Sequence, residues 1–157
     1  MRKTLICLSF AVLGIMVFSL HAQAQKSRAS VSTAEVTGSY RMHFGGKFRR
    51  QSNDIKILAL GGGRLRISMD LVFPYTLKNG ELMVNMGGLD GEAAIKGDTA
   101  VYQSGESGVC KITIKFVRPG VVKVSQNGSD ADCGFGHNVM SDGTYRKISS
   151  KRPKFDD

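Results

Sequence analysis

The chain has 157 residues with a formal charge of +9; less a leader of 24 residues it leaves 133, room for one domain but not two. Its 22 Lys and Arg against 13 Asp and Glu are compatible with an anionic partner, the alternative being that the charge merely keeps a secreted protein soluble, and the absence of tryptophan argues against an aromatic stacking platform. Glycine is abundant at 19 residues and recurs between short β-branched or aromatic runs, which excludes a mainly helical protein and indicates many short strands.

The leader is read from Met1-Arg2-Lys3, an apolar run from Leu5 to Leu20 interrupted by Cys7, Ser9, Gly14 and Ser19, and the small-residue site Ala22-Gln23-Ala24. That is the pattern of a secretory signal peptide over 1–24, with cleavage expected after Ala24. The run is shorter than the ~18 apolar residues of a membrane-spanning helix. Cys7 sits inside the hydrophobic region and does not look like a lipid-attachment cysteine. The expected location is therefore the periplasm or the extracellular space, with no transmembrane segment after cleavage. The processed chain keeps 20 Lys and Arg against 13 Asp and Glu, a charge of about +7.

Export has a second consequence. With Cys7 removed, only Cys110 and Cys133 remain, and an oxidising compartment favours joining them in one disulfide.

Residues 25–34, rich in Ser and Ala, read as a flexible leader, 35–148 as a single β domain, and 149–157 as a basic disordered tail around Lys151-Arg152-Pro153-Lys154. Within the domain, strands are expected near 36–44, 54–60, 64–73, 75–78, 81–86, 91–96, 99–104, 109–117, 121–127 and 143–148, some of which can merge. Alternation is clearest where Leu65, Ile67, Met69 and Leu71 oppose Arg66, Ser68 and Asp70, giving one buried and one wet face. The sheet is expected to be antiparallel and half-solvated.

Two turns fix register. Asn79-Gly80 suits a two-residue type I′ turn pairing Lys78 with Glu81. Arg118-Pro119-Gly120 suits a three-residue loop with Gly120 left-handed, which sets Phe116 opposite Val122, Ile114 opposite Val124 and Ile112 opposite Gln126. The same register places Lys115 opposite Lys123 on the wet face, with Lys111 extending the stripe. Gly38-Ser39-Tyr40-Arg41 is echoed by Gly143-Thr144-Tyr145-Arg146, which suggests that the first and last strands meet. The fold class expected is all-β: an antiparallel meander of about 8–10 short strands closing as a small, lipocalin-like barrel, with a β-sandwich as the alternative.

The candidate anion-binding residues are Lys47, Arg49 and Arg50, which flank Phe48 in a loop after the first strand, together with Lys111, Lys115 and Lys123. No catalytic residues, cofactors or metals are expected. His43, His137, Cys110 and Cys133 lack paired ligand spacing. His137, Ser141 and Asp142 share a segment but are read as turn residues, since nothing resembles a nucleophile elbow. Gly61-Gly62-Gly63 lacks the ending of a phosphate-binding loop and is read as a hairpin turn. The segment Asn127-Gly128-Ser129-Asp130-Ala131-Asp132 lacks calcium-loop spacing and is read as polar turn chemistry. Asn127 also begins a glycosylation acceptor triplet.

The stretch from Cys110 to Arg146, with Cys110-Lys-Ile-Thr-Ile-Lys-Phe116, Val122-Lys-Val-Ser-Gln126, Cys133-Gly-Phe-Gly-His137 and Gly143-Thr-Tyr-Arg146, resembles the closing segment of small uncharacterised secreted bacterial proteins. In some of these the segment follows a cysteine-containing helical module of the kind found in periplasmic lysozyme-inhibitor-like proteins, a module this chain lacks. The resemblance covers about 37 of the 157 residues and implies a disulfide-pinned hairpin with a closing strand. The expected function is that of an exported, non-enzymatic binding protein of the cell envelope meeting an anionic polymer or lipid. One alternative is a lysozyme-type hydrolase inhibitor, whose partner would be a secreted hydrolase; another is a carrier of a small apolar ligand. No specific nucleic-acid binding is expected.

Overall fold

The computed structural model describes residues 30–104 and 109–155. The expected signal peptide over 1–24, the first five residues of the expected leader and the last two of the expected tail lie outside the described residues. One short helix, α1 (Thr33–Val36), precedes eight strands: β1 (Gly38–His43), β2 (Ser52–Gly61), β3 (Arg64–Thr76), β4 (Leu82–Lys96), β5 (Thr99–Gln103), β6 (Lys111–Arg118), β7 (Val121–Asn127) and β8 (Gly143–Ser149). Each pairs antiparallel with the next, and β8 returns to β1, so the meander is a closed barrel. Among the described residues no helix is long and apolar enough to cross a membrane.

The ten expected segments resolve into eight by two mergers, 64–73 with 75–78 and 81–86 with 91–96. Pro74 causes the first of these breaks in the pattern, yet it is tolerated within β3. Val72 N donates to the Asn53 side chain, away from β4, so the nitrogen of Pro74 two residues on faces the same way and leaves no β3–β4 bond unmade. The second break is Gly87-Gly88, which continues β4. A Cβ on Gly87 would lie 2.9 Å from Phe135 and Val139, so glycine there makes room for packing across the barrel mouth.

Alternation builds the core. Tyr40, Ile55, Ile57, Leu65, Ile67, Met69, Leu71, Ile112, Ile114, Phe116, Val122, Val124 and Tyr145 point inward and are buried. They fill the interior with side chains, at roughly 1.5–3 kcal/mol of transfer free energy for each large apolar one. The register of β6 with β7 is the expected one, with Phe116↔Val122, Ile114↔Val124, Ile112↔Gln126 and Lys115↔Lys123, and Gly120 has φ +73°.

The other hairpin requires a correction. Gly80 N donates to Leu77 O and Leu77 N donates to Glu81 O, so Leu77, not Lys78, stands against Glu81. Asn79 keeps a negative φ and accepts from Glu81 N through its side chain, leaving only Gly80 left-handed. This three-residue turn uses the same device as Arg118-Pro119-Gly120. The two-residue turn with both residues at positive φ falls instead at Gly62-Gly63, between Gly61 and Arg64.

The β1–β8 seam explains the internal echo. Tyr40 pairs with Lys147 and Arg41 with Arg146. Tyr40 Oη donates to the carbonyls of Glu35 and Val36, and Tyr145 Oη donates to the carbonyl of Ser141, so each buried phenol ties a segment just upstream to its barrel end. Burial pushes both phenols above the ordinary tyrosine range.

Both termini are more defined than their composition suggested. Thr33 and Ala34, assigned to the leader, form the first half of α1, and Lys147 Nζ donates to the carbonyls of Ala34, Glu35 and Thr37. Ser149, assigned to the tail, closes β8, and the Phe155 ring lies 4.5 Å from the Arg66 guanidinium.

Candidate anion-binding surfaces

The strand order gives the barrel two ends. At one lie the tight turns 62–63, 97–98 and 119–120 together with α1; at the other lie the longer connections 44–51, 77–81 and 128–142. The six basic residues singled out in the sequence fall into two groups, which the fold keeps apart. Lys111, Lys115 and Lys123 stand on the outer wall of β6 and β7, whereas Lys47, Arg49 and Arg50 occupy the β1–β2 connection at the long-loop end.

The wall is defined by what surrounds its cations. Strands β6, β7 and β8 contain Lys111, Lys115, Arg118, Lys123, Arg146 and Lys147 and no carboxylate. Lys115 stands opposite Lys123. The remaining cross-strand neighbours are neutral: Gln103 and Asn127 beside Lys111, Thr99 beside Lys115, Thr144 beside Lys123. Arg146 joins this wall from β8, beside Val121 on one side and Arg41 on the other. It was missed because its membership depends on β8 lying beside β7; the echo around Tyr145 was the available signal. Lys147, by contrast, is committed to the carbonyls of α1.

The loop group is held by a single 3-10 turn over Gly46–Phe48, with Gln51 N donating to Phe48 O and Phe44 N to Gln51 O. Lys47 Nζ lies 5.0 Å from the centroid of the Phe48 ring. Lys47, Phe48, Arg50 and Gln51 form one side of a cleft of about 320 Å³ whose other side is Pro74, Leu82, Met83 and Val84.

That apolar side belongs to a two-stranded arm. The register of β2 with β3 ends at Asp54↔Asp70 and that of β4 with β5 begins at Ala94↔Val101, while β3 and β4 pair continuously out to Thr76↔Leu82. Among the described residues, Leu77, Leu82, Met83, Val84 and Met86 supply five of the nine exposed large hydrophobic side chains of the protein. The sequence carried a sign of this: Leu82-Met83-Val84 is apolar at both parities, which a strand with one wet face does not show.

The segment 128–142 covers the long-loop end. Cys133 is joined to Cys110, the residue preceding β6. Phe135 and Val139 enter the core, and Gly136 N donates to Met86 O. Asp132 accepts from the backbone N–H and hydroxyl of Ser129, and Asp130 accepts from Ala131 N and Asn138 N. These donors hold both carboxyls below the ordinary aspartate range: chiefly the Asn138 N–H for Asp130 and the Ser129 N–H for Asp132. The oxygens that suggested calcium are thus engaged in turn geometry, and among the described residues no three His, Cys, Asp or Glu side chains gather around one point. Ser141 donates to Gln126 Oε1 and Asp142 accepts from Gln126 N, while His137 is exposed, 3.8 Å from Asp130.

No family model matches this chain, and no curated protein or solved structure is significantly similar to it.

Proposed function

We propose that this protein is an exported, non-enzymatic binding protein of the cell envelope that meets an anionic polymer through the outer wall of β6, β7 and β8. The observation that carries this reading is three adjacent strands without a carboxylate, on which Lys111, Lys115, Lys123 and Arg146 share one surface. Placing Lys115 against Lys123 costs stability unless an anion or solvent ions relieve it, and a multivalent anion does so while giving up its own counterions. A rigid barrel also presents the row without an ordering cost on binding. The Cys110–Cys133 bond accords with an oxidising compartment, the periplasm or the extracellular space.

The test is binding to an immobilised sulfated or uronic-acid polysaccharide. Retention at about 50 mM salt and release by about 500 mM is expected. Replacing Lys111, Lys115, Lys123 and Arg146 together by Gln should abolish retention while the barrel stays folded. Equal retention of that variant, or no retention of the parent protein at low salt, would refute the proposal.

A further inference from the structure

We propose that the β3–β4 arm, together with the Lys47–Arg50 loop, is a second and separate docking element, and that its partner is an anionic phospholipid bilayer surface. This inference does not depend on the polymer reading, because the arm is rooted at the barrel mouth by β3 and β4 and the polymer wall is formed by β6, β7 and β8.

Two-stranded ribbons that leave a barrel for water ordinarily turn polar at least on one face. Here large apolar side chains stand on both faces, with Thr76 the polar residue on one and Asn85 on the other. Val72, Pro74, Leu82, Val84 and Met86 share one, where Pro74 pairs with Val84 and Val72 with Met86. Phe73, Tyr75 and Met83 share the other with Asn85, whose side chain donates to His137 O; the Phe73 and Tyr75 rings stack at 6.4 Å and are half-buried. Leu82 is 53% exposed and Met86 71%. The exposed apolar positions fall on both sides of the arm, Leu82, Val84 and Met86 on one and Met83 on the other, and a medium that envelops the arm covers all of them where a globular partner docked on one face does not.

The β3 edge of the arm also disfavours a partner that adds a strand, and the β4 edge is partly taken. On β3 the first outward N–H, that of Val72, is taken by the Asn53 side chain, and the next outward position is Pro74, which has none. On β4, the outward carbonyl of Met86 is already bonded by Gly136.

Charge selects the kind of surface. Lys47 and Arg50 line the same cleft as Leu82 and Val84, Arg49 lies between them in the loop, and Lys78 sits in the turn at the tip. The one carboxylate of that turn, Glu81, is within 3.3 Å of the Asn79 side-chain amide. Cations beside and at the tip of an apolar projection match an interface in which acyl chains lie beneath phosphate headgroups.

The experiment is vesicle co-sedimentation of the chain beginning at Gln25, which retains every core residue and both disulfide cysteines without the apolar leader. Vesicles of phosphatidylglycerol and phosphatidylcholine in equal parts are compared with phosphatidylcholine alone. Preferential binding to the anionic vesicles is expected. Leu82→Glu with Val84→Glu, both at exposed positions, should weaken it by at least about tenfold. Lys47→Gln, Arg49→Gln and Arg50→Gln together should weaken it on the order of a hundredfold at low salt. The wall variant lacking Lys111, Lys115, Lys123 and Arg146 should bind vesicles as the parent does; if it alone loses binding, the docking proposal fails while the polymer reading stands. Unchanged binding of the arm variant would overturn the proposal. So would a dimeric parent that the arm variant converts to monomer, since the apolar faces would then be covered by a second copy. Unchanged secondary structure and thermal transition of each variant confirm that the barrel is intact.

Discussion

The two halves of the barrel wall handle charge in opposite ways. Strands β2, β3 and β4 carry Asp54, Asp70, Asp90 and Glu92 against Lys56, Arg64, Arg66 and Lys96, four of each sign. Four of the eight pair with each other, Arg66 with Asp90 and Arg64 with Glu92, each at 3.3 Å; Asp54, which stands opposite Asp70, receives a two-pronged contact from Arg41 of β1 at 2.6 Å. Strands β6, β7 and β8 carry only cations. The same fold, with the same inward alternation, thus tolerates a neutralised wall and an unneutralised one. Folding determines the inward positions; the outward ones are free to differ, and it is there that a functional bias can be written.

The unneutralised wall is also the one anchored by the disulfide, since Cys110 leads directly into β6. Removing the bond with Cys110→Ala and Cys133→Ala should cost about 3 kcal/mol for a sequence separation of 23, read as a fall of about 10 °C in Tm. Hydrogen exchange should show the loss unevenly, with amides of β6 and of 128–142 gaining exchange before those of β2–β4. Uniform loss would mean that the two halves share one stability and that the contrast is confined to charge.

The seam between the halves is narrow. At Gly38 an added Cβ would lie 2.2 Å from the carbonyl oxygen of Ser149, and at Gly143 it would lie 2.2 Å from the sulfur of Met42. Both residues also have φ near +150°. Either Gly→Ala change should cost at least about 2 kcal/mol. Adding Met42→Ala should recover part of the loss at Gly143, where a side chain obstructs, and none at Gly38, where backbone does. Thermal unfolding of the four variants checks this.

The legibility of the molecule divides along a physical line. The inward rows and the Lys115↔Lys123 register followed from period-2 alternation and from the backbone demands of Gly120, both local properties, whereas closure of the meander rested on the echo of Gly38-Ser39-Tyr40-Arg41 in Gly143-Thr144-Tyr145-Arg146. The Asn79-Gly80 turn came out one residue displaced because the asparagine side chain bonds the backbone N–H of Glu81 and keeps its own φ negative, a choice that alternation cannot reveal when Leu82, Met83 and Val84 are all apolar. Arg146 was invisible as a wall residue until β8 was set beside β7. The facing of Lys47 and Arg50 with Leu82 and Val84 joins residues more than thirty positions apart through the pairing of four strands, and no local pattern encodes it.

Acid should also separate the two regions. Asp130 and Asp132 have folded pKa values below their unfolded ones, so the stability they contribute is fully present above the ordinary carboxylate range and is lost as the pH falls through the lowered values. Below about pH 4, amides in 129–139 should exchange faster while those in β2 and β3 retain their protection. Asp132→Asn should show part of this loosening already at neutral pH. If the segment keeps full protection at pH 3, the disulfide and the burial of Phe135 and Val139 hold it without the carboxylates.

The smallest effects are the most direct measure of the contrast, because their signs should differ. On the neutralised wall, Arg64→Gln removes an exposed pair with Glu92 and should destabilise by no more than about 0.5 kcal/mol. On the cationic wall, Lys123→Gln removes a repulsion with Lys115 and should stabilise by a few tenths of a kcal/mol, roughly 0.2–0.5. Both differences should shrink toward zero as salt rises to about 0.5 M, where the screening length falls to a few ångströms. Any part of either change that persists at high salt is packing rather than charge, because the lysine and arginine stems cover apolar surface whatever the ionic strength. Denaturant unfolding at low and high salt separates the two contributions. A destabilised Lys123→Gln at low salt would mean that its aliphatic stem outweighs the repulsion, and the wall would then owe its cations to packing rather than to a partner.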